Sequence, residues 1–189
     1  MHIVVDIRLN IRSVKMSIDY VQDYIDLVNS GSVTIKRYVV ETDYHEEFKL
    51  PIRVGSKIKN AINRHLNDLE KSKDPKYQYV YIPEEAIPVV EFIEMLPDPK
   101  SRKPMKLAKF QKFIIGLLYG WRKKQNNVRR FRKAYISLAR KNGKSLLVAG
   151  IALYELLLGK NPAASRQIVT AANTKDQAAI SYKMLKSQL

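Results

Sequence analysis

The sequence predicts an α/β protein in which a helical N-terminal region leads into the incomplete start of a parallel sheet built around a phosphate-binding loop (a P-loop). Three observations carry this. The first 125 residues read as amphipathic helices joined by short linkers. Beyond Arg130 the order becomes β-loop-α-β-α, the opening of a parallel sheet with right-handed crossovers. At the join, SLARKNGKS (137–145) passes from a β-branched and aromatic run into an apolar helical stretch and ends in Gly143-Lys144-Ser145.

The N-terminal MHIVVDIRLNIRSVK alternates apolar and charged residues, unlike a signal peptide, and Met16 stands just before the first helical pattern, so Met16 is the expected native start. Ser17 to Asn29 places Ile18, Val21, Ile25 and Val28 at helical spacing, with Ser17 as N-cap and Gly31 as stop. VTIKRYVV (33–40) reads as a strand and TDYHEEFKLP (42–51) as a loop. Ser56 to Ser72 is an amphipathic helix with Ile58, Ile62, Leu66 and Leu69 on one stripe and His65 on the polar side.

Residues 77–82 read as extended, and Pro83 opens a helix to about Met95 that Pro88 shortens or bends. PDPKSRKP (97–104) has linker composition. Residues 106–119 form a helix that turns Leu107, Phe110, Ile114, Leu117 and Leu118 inward and closes at Gly120. KAYISLA (133–139) and RQIVTAA (166–172) have strand character, with helices expected from about Lys144 to Leu158 and from Thr174 to Ser187. Two strands and two helices do not close such a domain, because buried parallel strands need neighbours on both sides. The sheet is therefore expected to be cut short.

Composition narrows the partners. With no cysteines, disulfides and thiolate zinc sites are excluded, which fits a cytoplasmic protein. The longest apolar runs, such as 146–158, are too short and interrupted for a bilayer span, so no membrane is expected. The net charge of +16 is concentrated: residues 100–145 hold sixteen Lys and Arg and no Asp or Glu, leaving the rest of the chain balanced against all 18 acids. Such a window suits a polyanion, whether nucleic acid or nucleotide phosphates, or less well a membrane surface. A solvated basic face is the plain alternative. His2, His45 and His65 are far apart and lack companion ligands, so no metal site of their own is expected. No Ser-His-Asp arrangement is readable.

A phosphate loop works because backbone N–H groups at a helix start wrap an anion that the helix dipole also favours. In that chemistry Gly143 allows close approach, Lys144 reaches the β and γ phosphates, and Ser145 ligates magnesium. The glycine expected five positions before Gly143 is replaced by Leu138, which alters the loop's entry and not its phosphate-facing half. Arg140 and Lys141 lie inside the loop. An arginine at the γ-phosphate is worth about 10³–10⁵ in rate; on the residues alone, a role in contacting DNA or solvent stands equally.

ARKNGKS, preceded by RRFRKAYIS and followed by LLVAGIALYELL, resembles the variant Walker A segment of tailed-bacteriophage terminase large subunits, ATPases that pump double-stranded DNA into procapsids. The resemblance extends upstream through RHLNDLE (64–70), EEAIPVVEFIEML (84–96) and KLAKFQKFIIGLLYGW (106–121), and downstream through VTAANTKDQA (169–178), so it covers roughly residues 56 to 189. It implies a parallel sheet of the ASCE type, ATP and Mg²⁺ as cofactors, and a nucleotide set of Gln111, Arg140, Lys141, Asn142, Gly143, Lys144 and Ser145. Within it, Arg140 is implied to sense or stabilise the γ-phosphate, Ser145 to hold the metal, and Gln111, in FQKF, to read adenine. Without the resemblance, Gln111 also reads as a surface residue of an amphipathic helix, and Gln177 as a bystander after the second strand. The resemblance implies double-stranded DNA, a portal and procapsid, a small terminase subunit and a homo-oligomeric ring as partners, all in the bacterial cytoplasm. On this view residues 1–55 are a leader with one helix, 56–125 a helical subdomain, and 126–189 the beginning of the ATPase domain.

ATP hydrolysis also needs an Asp at the end of a further apolar strand, followed by a catalytic Glu. The only acids after residue 98 are Glu155 and Asp176, neither in such a pair, and no acidic nuclease cluster is present. The chain is therefore expected to match only the front of such an enzyme and to bind nucleotide weakly. Two rivals are a nucleic-acid-binding module without catalysis, built on residues 100–133, and another P-loop motor such as a helicase.

Overall fold

Asp19 starts the first helix of the computed structural model, which describes residues 18–39, 44–99, 101–159 and 166–187. Its Oδ1 accepts from the backbone N–H groups of Val21 (2.9 Å) and Gln22 (3.1 Å), capping α1 (Tyr20–Asn29). The helix thus starts later than expected; Ser17 and Met16 lie outside the described residues. Gly31, with φ +70°, stands just beyond the helix end. The segment expected as a loop is instead a strand: β1 (Ser32–Val39) and β2 (Tyr44–Pro51) pair antiparallel from Ser32↔Pro51 to Val39↔Tyr44. A hairpin satisfies its backbone through its own partner, so a polar segment becomes a strand without an apolar face to announce it. Val33, Phe48 and Leu50 are exposed.

Helix α2 (Ser56–Ser72) has the bounds that the periodicity predicts, but a different face is buried. Leu66 is 41% exposed, while His65 is 2% exposed and Asp68 is buried beside Ile62. The polar pair is inside because each member is partnered. Trp121 Nε1 donates to His65 Nδ1 (3.1 Å), Tyr77 Oη donates to Asp68 Oδ1 (2.8 Å), and Arg130 lies 2.8 Å from Asp68 Oδ2 as an ion pair.

β3 (Tyr79–Tyr81) pairs antiparallel with β4 (Trp121–Lys123), so Trp121 begins a strand where a helix stop alone was expected. Pro83–Ala86 is a single 3-10 turn and α3 (Ile87–Met95) follows, the interruption expected at Pro88. A Pro97↔Pro104 bridge brings the two ends of the proline-rich linker together. Helix α4 (Lys109–Gly120) then threads between two apolar clusters. One joins Val89, Val90 and Ile93 to Ile115, Tyr119, Leu147 and Tyr154; the other joins Val21, Tyr24 and Ile25 to Ile62 and Phe113. Because α4 is wrapped on both sides, its most buried residues are Phe113, Ile115 and Tyr119, while Phe110, Ile114, Leu117 and Leu118 are half-buried between the clusters.

The parallel sheet is the main correction. Among the described residues both sheets are two-stranded and antiparallel, and neither 133–139 nor 166–172 joins a ladder. Tyr135 is 88% and Val169 82% exposed. Composition gives these runs β propensity, but a strand exists only where a partner completes its hydrogen bonds, and among the described residues no partner lies alongside. The helices that follow each run form as expected: α5 (Lys144–Leu157) and α6 (Lys175–Lys186), the latter capped by Thr174. The fold is thus mixed helix with two small sheets, and α5 docks through Leu147 and Tyr154 onto α3 and α4.

Burial holds the His65 imidazole below its ordinary range, against the pull of Asp19 and Asp68. A histidine whose folded pKa lies below its unfolded value binds protons more readily when unfolded. Its stability contribution is complete above about pH 6.5 and is lost as pH falls toward the folded pKa. Urea midpoints are therefore expected to drop on acidification from about pH 7.5 to about 5.5, and to drop less in His65→Gln. An identical drop in the variant would assign the effect to other groups.

Candidate nucleotide site

The loop from Ala139 to Ser145 gets its shape from two left-handed residues, Lys141 and Gly143, both at φ +68°. Left-handed backbone costs a non-glycine residue about 1–2 kcal/mol, so Lys141 marks strain stored in the turn. Asn142 Nδ2 donates across the turn to the Ala139 carbonyl (3.4 Å). Gly143 is the N-cap of α5, and no side chain caps that helix or places an acid in its first turn. The first-turn N–H groups therefore stand with the partial positive charge of a 14-residue helix and no competing side-chain acceptor. Lys144 is exposed at the first helical position and Ser145 half-buried at the second.

Gln111 is buried, 8% exposed, and not the surface residue that one reading allowed. It sits in the first turn of α4, where its Oε1 accepts from Ala108 N (2.8 Å) and its Nε2 donates to the Asn142 carbonyl (3.4 Å). The amide thus joins the start of α4 to the loop. Those bonds use one lone pair and one N–H of a group that has two of each. Gly143 lies close enough that a Cβ there would come within 2.8 Å of Gln111 Nε2. Gly143→Ala is therefore expected to strain the left-handed turn and displace Gln111, lowering stability by about 1–2 kcal/mol, read from urea denaturation. A change near zero would mean the turn has room to adjust.

Two clefts meet at this loop. A 770 Å³ cleft is lined by residues 139–146 together with Asp98, Pro99 and Met184. A 540 Å³ cleft shares Gly143 with it, walled by Met105, Leu107, Phe110, Leu146 and Leu147 and by the polar side chains of Lys103, Lys106, Lys141 and Gln111. Both volumes suit a small ligand. The first is strongly cationic, with Arg140, Lys141 and Lys144 on its wall.

Every residue of the expected nucleotide set lines one cleft or the other. Gln177 does not; its backbone N–H donates to Thr174 Oγ1 (3.3 Å) as part of the α6 cap. Glu155 is taken up elsewhere: it accepts from Tyr119 Oη (2.6 Å) and pairs with Arg129 (3.0 Å), while burial and then this bond push the Tyr119 phenol up. Asp98 and Met184 had no signal in the sequence, one in a linker and one inside the helix expected over 174–187. Among the described residues no three His, Cys, Asp or Glu side chains gather to hold a metal. Ser145, half-buried beside Lys144, fits magnesium only as one ligand among nucleotide phosphates and water, the usual manner for that ion.

A glycine-capped helix start, an internal cationic turn and an amide buried against it thus meet at one place. Comparison with known proteins gives what the chain is similar to. The family model for the ATPase domain of the terminase large subunit matches residues 109–189, from α4 to the end of the chain. The large terminase subunit of Enterobacteria phage HK97 is 38% identical over 100 residues, covering 51% of this chain and 18% of that protein. The crystal structure of the HK97 large terminase covers 55% of this chain and 20% of its own, at 34% identity and a TM-score of 0.44. The chain thus spans about a fifth of the relative it matches. Among the described residues no helix is long and apolar enough to cross a membrane.

Proposed function

We propose that this chain supplies the nucleotide-binding loop of a DNA-packaging motor ATPase. The observation that carries the reading is Gln111 buried against the Asn142 carbonyl, with two clefts meeting at Gly143, one lined by Arg140, Lys141 and Lys144 and the other by Leu107, Phe110 and Leu147 beside the Gln111 amide. In this reading the phosphates lie against the α5 N-terminus with Lys144 on the β and γ groups, Ser145 contributes to magnesium, and Arg140 meets the γ-phosphate. Adenine enters the smaller cleft, where the second lone pair and second N–H of the Gln111 amide meet its N6 amino group and N7. Segments 133–139 and 166–172 become parallel strands of an ASCE sheet once neighbouring strands flank them.

The reading assigns binding to these residues and not the hydrolytic step. Glu155 is committed to Tyr119 and Arg129, and Asp176 lies in the exposed first turn of α6. Double-stranded DNA is the polyanion for the basic window, with portal, procapsid, small subunit and a homo-oligomeric ring as partners in the bacterial cytoplasm. Calorimetric titration with a slowly hydrolysed ATP analogue and magnesium tests it: saturable binding that GTP competes for poorly supports the reading, and no binding removes it.

A second reading, a basic nucleic-acid module built on residues 100–133 with an incidental loop, draws on exposed cations there such as Lys103, Lys106, Lys124, Arg132 and Lys133. It predicts DNA affinity with a log–log salt slope of about −0.9 per phosphate contacted and no dependence on nucleotide.

A further inference from the structure

We propose that copies of this chain associate head to tail, the β1–β2 ribbon of one seating its apolar face in the groove between α2, α4 and residues 131–138 of the next. This rests on the homo-oligomer of the reading above and is independent of the nucleotide site.

The ribbon presents the first half of the contact. Val33 and Leu50 are directly opposed in its register, and Phe48 stands two residues from Leu50, so alternation puts all three on one face. They are 37%, 47% and 39% exposed. The ribbon joins the body at its base, where Ile52 N donates to the Gly31 carbonyl (2.9 Å). A two-stranded ribbon is marginal in water, and an apolar face on it gains stability from a cover. The sequence that leads into Phe48, ETDYHEE (41–47), carries four acids and no Lys or Arg.

The groove is its complement. It has a volume of 380 Å³ and is lined by Ile58, Phe113, Ile114 and Leu117 of the two helices and by Phe131 and Tyr135. Lys57, Arg64 and Lys133 also line it, and no Asp or Glu does. Lys57 Nζ lies 5.8 Å from the centre of the Tyr135 ring and Arg64 Cζ 5.0 Å from that of Phe131, so these cations are held beside apolar surface. Among the described residues none of the three cations enters an ion pair. Within one copy the two halves do not cover each other: no ribbon residue lines the groove, and Tyr135 is 88% exposed.

An apolar face preceded by acids thus meets an apolar groove bordered by cations, while groove against groove would oppose like charges. Because the two surfaces differ, the contact is heterologous and repeats from copy to copy, closing as a ring where the rotation allows. A ribbon of eight-residue strands is about 26 Å long. One such face belongs among the small interfaces, below about 1,200 Å² in total, so a dissociation constant in the micromolar range is expected.

The test is sedimentation velocity of the full chain from about 1 to 100 µM, with thermal melts. It compares the wild type with a ribbon variant, Phe48→Lys, and a groove variant, Lys57→Glu with Lys133→Glu. The wild type is expected to self-associate, more weakly at about 0.5 M than at about 0.15 M salt. Each variant should associate about ten-fold more weakly or worse, with an unchanged melt. Phe48→Ala, and Lys57→Gln with Lys133→Gln, should weaken association in the same direction. The ribbon and groove variants mixed together should form a one-to-one dimer, because the intact groove of the first still receives the intact ribbon of the second. A wild type that stays monomeric throughout overturns this contact and the homo-oligomer together. Self-association that neither variant weakens overturns the contact and leaves the homo-oligomer standing. So does association lost in the ribbon variant but kept in the groove variant, which means that ribbon pairs with ribbon. A mixture that does not dimerise, with both melts unchanged, overturns the head-to-tail order.

Discussion

Replacing Lys144 by alanine is expected to weaken binding of a slowly hydrolysed ATP analogue by roughly ten- to a hundred-fold while leaving the urea midpoint unchanged. The size follows from one charge-assisted hydrogen bond to phosphate, about 1.5–3 kcal/mol. The selectivity follows from position. Lys144 is exposed at the first helical residue of α5, where its N–H has no intrahelical partner to lose and its side chain packs on no core cluster. Alanine is also the best helix former, so the helix start is not weakened. Lys144→Arg should recover part of the affinity through charge. A Lys144→Ala protein that binds the analogue as well as the wild type would mean that the ligand does not sit on this loop.

Arg130→Ala is expected to destabilise the protein by about 3 kcal/mol, measured by urea denaturation. The cause is what it leaves behind: Asp68 is nearly fully buried, and Arg130 is the cation that faces it at 2.8 Å. The guanidinium also lies over four rings, Tyr79 at 4.7 Å, Phe131 at 5.0 Å, Trp121 at 5.2 Å and Tyr77 at 5.9 Å, so alanine removes packing as well. In an Asp68→Asn background the same change should cost much less, since no charge is stranded. Burial works to raise the Asp68 pKa, but the bonds from Tyr77 and Arg130 outweigh it and the net shift is downward. Its folded pKa lies below the unfolded one, so the stabilisation is present at neutral pH and lost as pH falls below the ordinary carboxylate range. Equal costs for Arg130→Ala in both backgrounds would show that stacking, not the ion pair, is what Arg130 supplies.

How much of this was legible in the sequence depends on whether the determining partner was near in the chain. The bounds of α2 and the positions of α5 and α6 follow from periodicity and local caps, as at Thr174, and the loop from three adjacent letters in the right context. The buried face of α2 does not, because hydrophobic spacing cannot count His65 and Asp68 as interior while Trp121 and Arg130, their partners, are distant in sequence. The strands at 133–139 and 166–172 were over-read for the mirror-image reason: their residue types favour β structure, and the ladder that would make them strands is not alongside. In the site, Gln111 came from its resemblance to a family motif, and its burial against Asn142 from the packing of α4. Asp98 was invisible, since only the closure of 97–104 brings a linker aspartate to the loop.

The chain contains one tryptophan, and Trp121 is wholly buried with its indole N–H on His65 and the Arg130 guanidinium over its face. Its emission is therefore a single-site optical reporter, supplied by the protein without labelling. Because β4 leads through residues 124–130 toward the phosphate loop, the colour and intensity of that one fluorophore give a direct readout of whether the segment entering the loop is seated or has come loose.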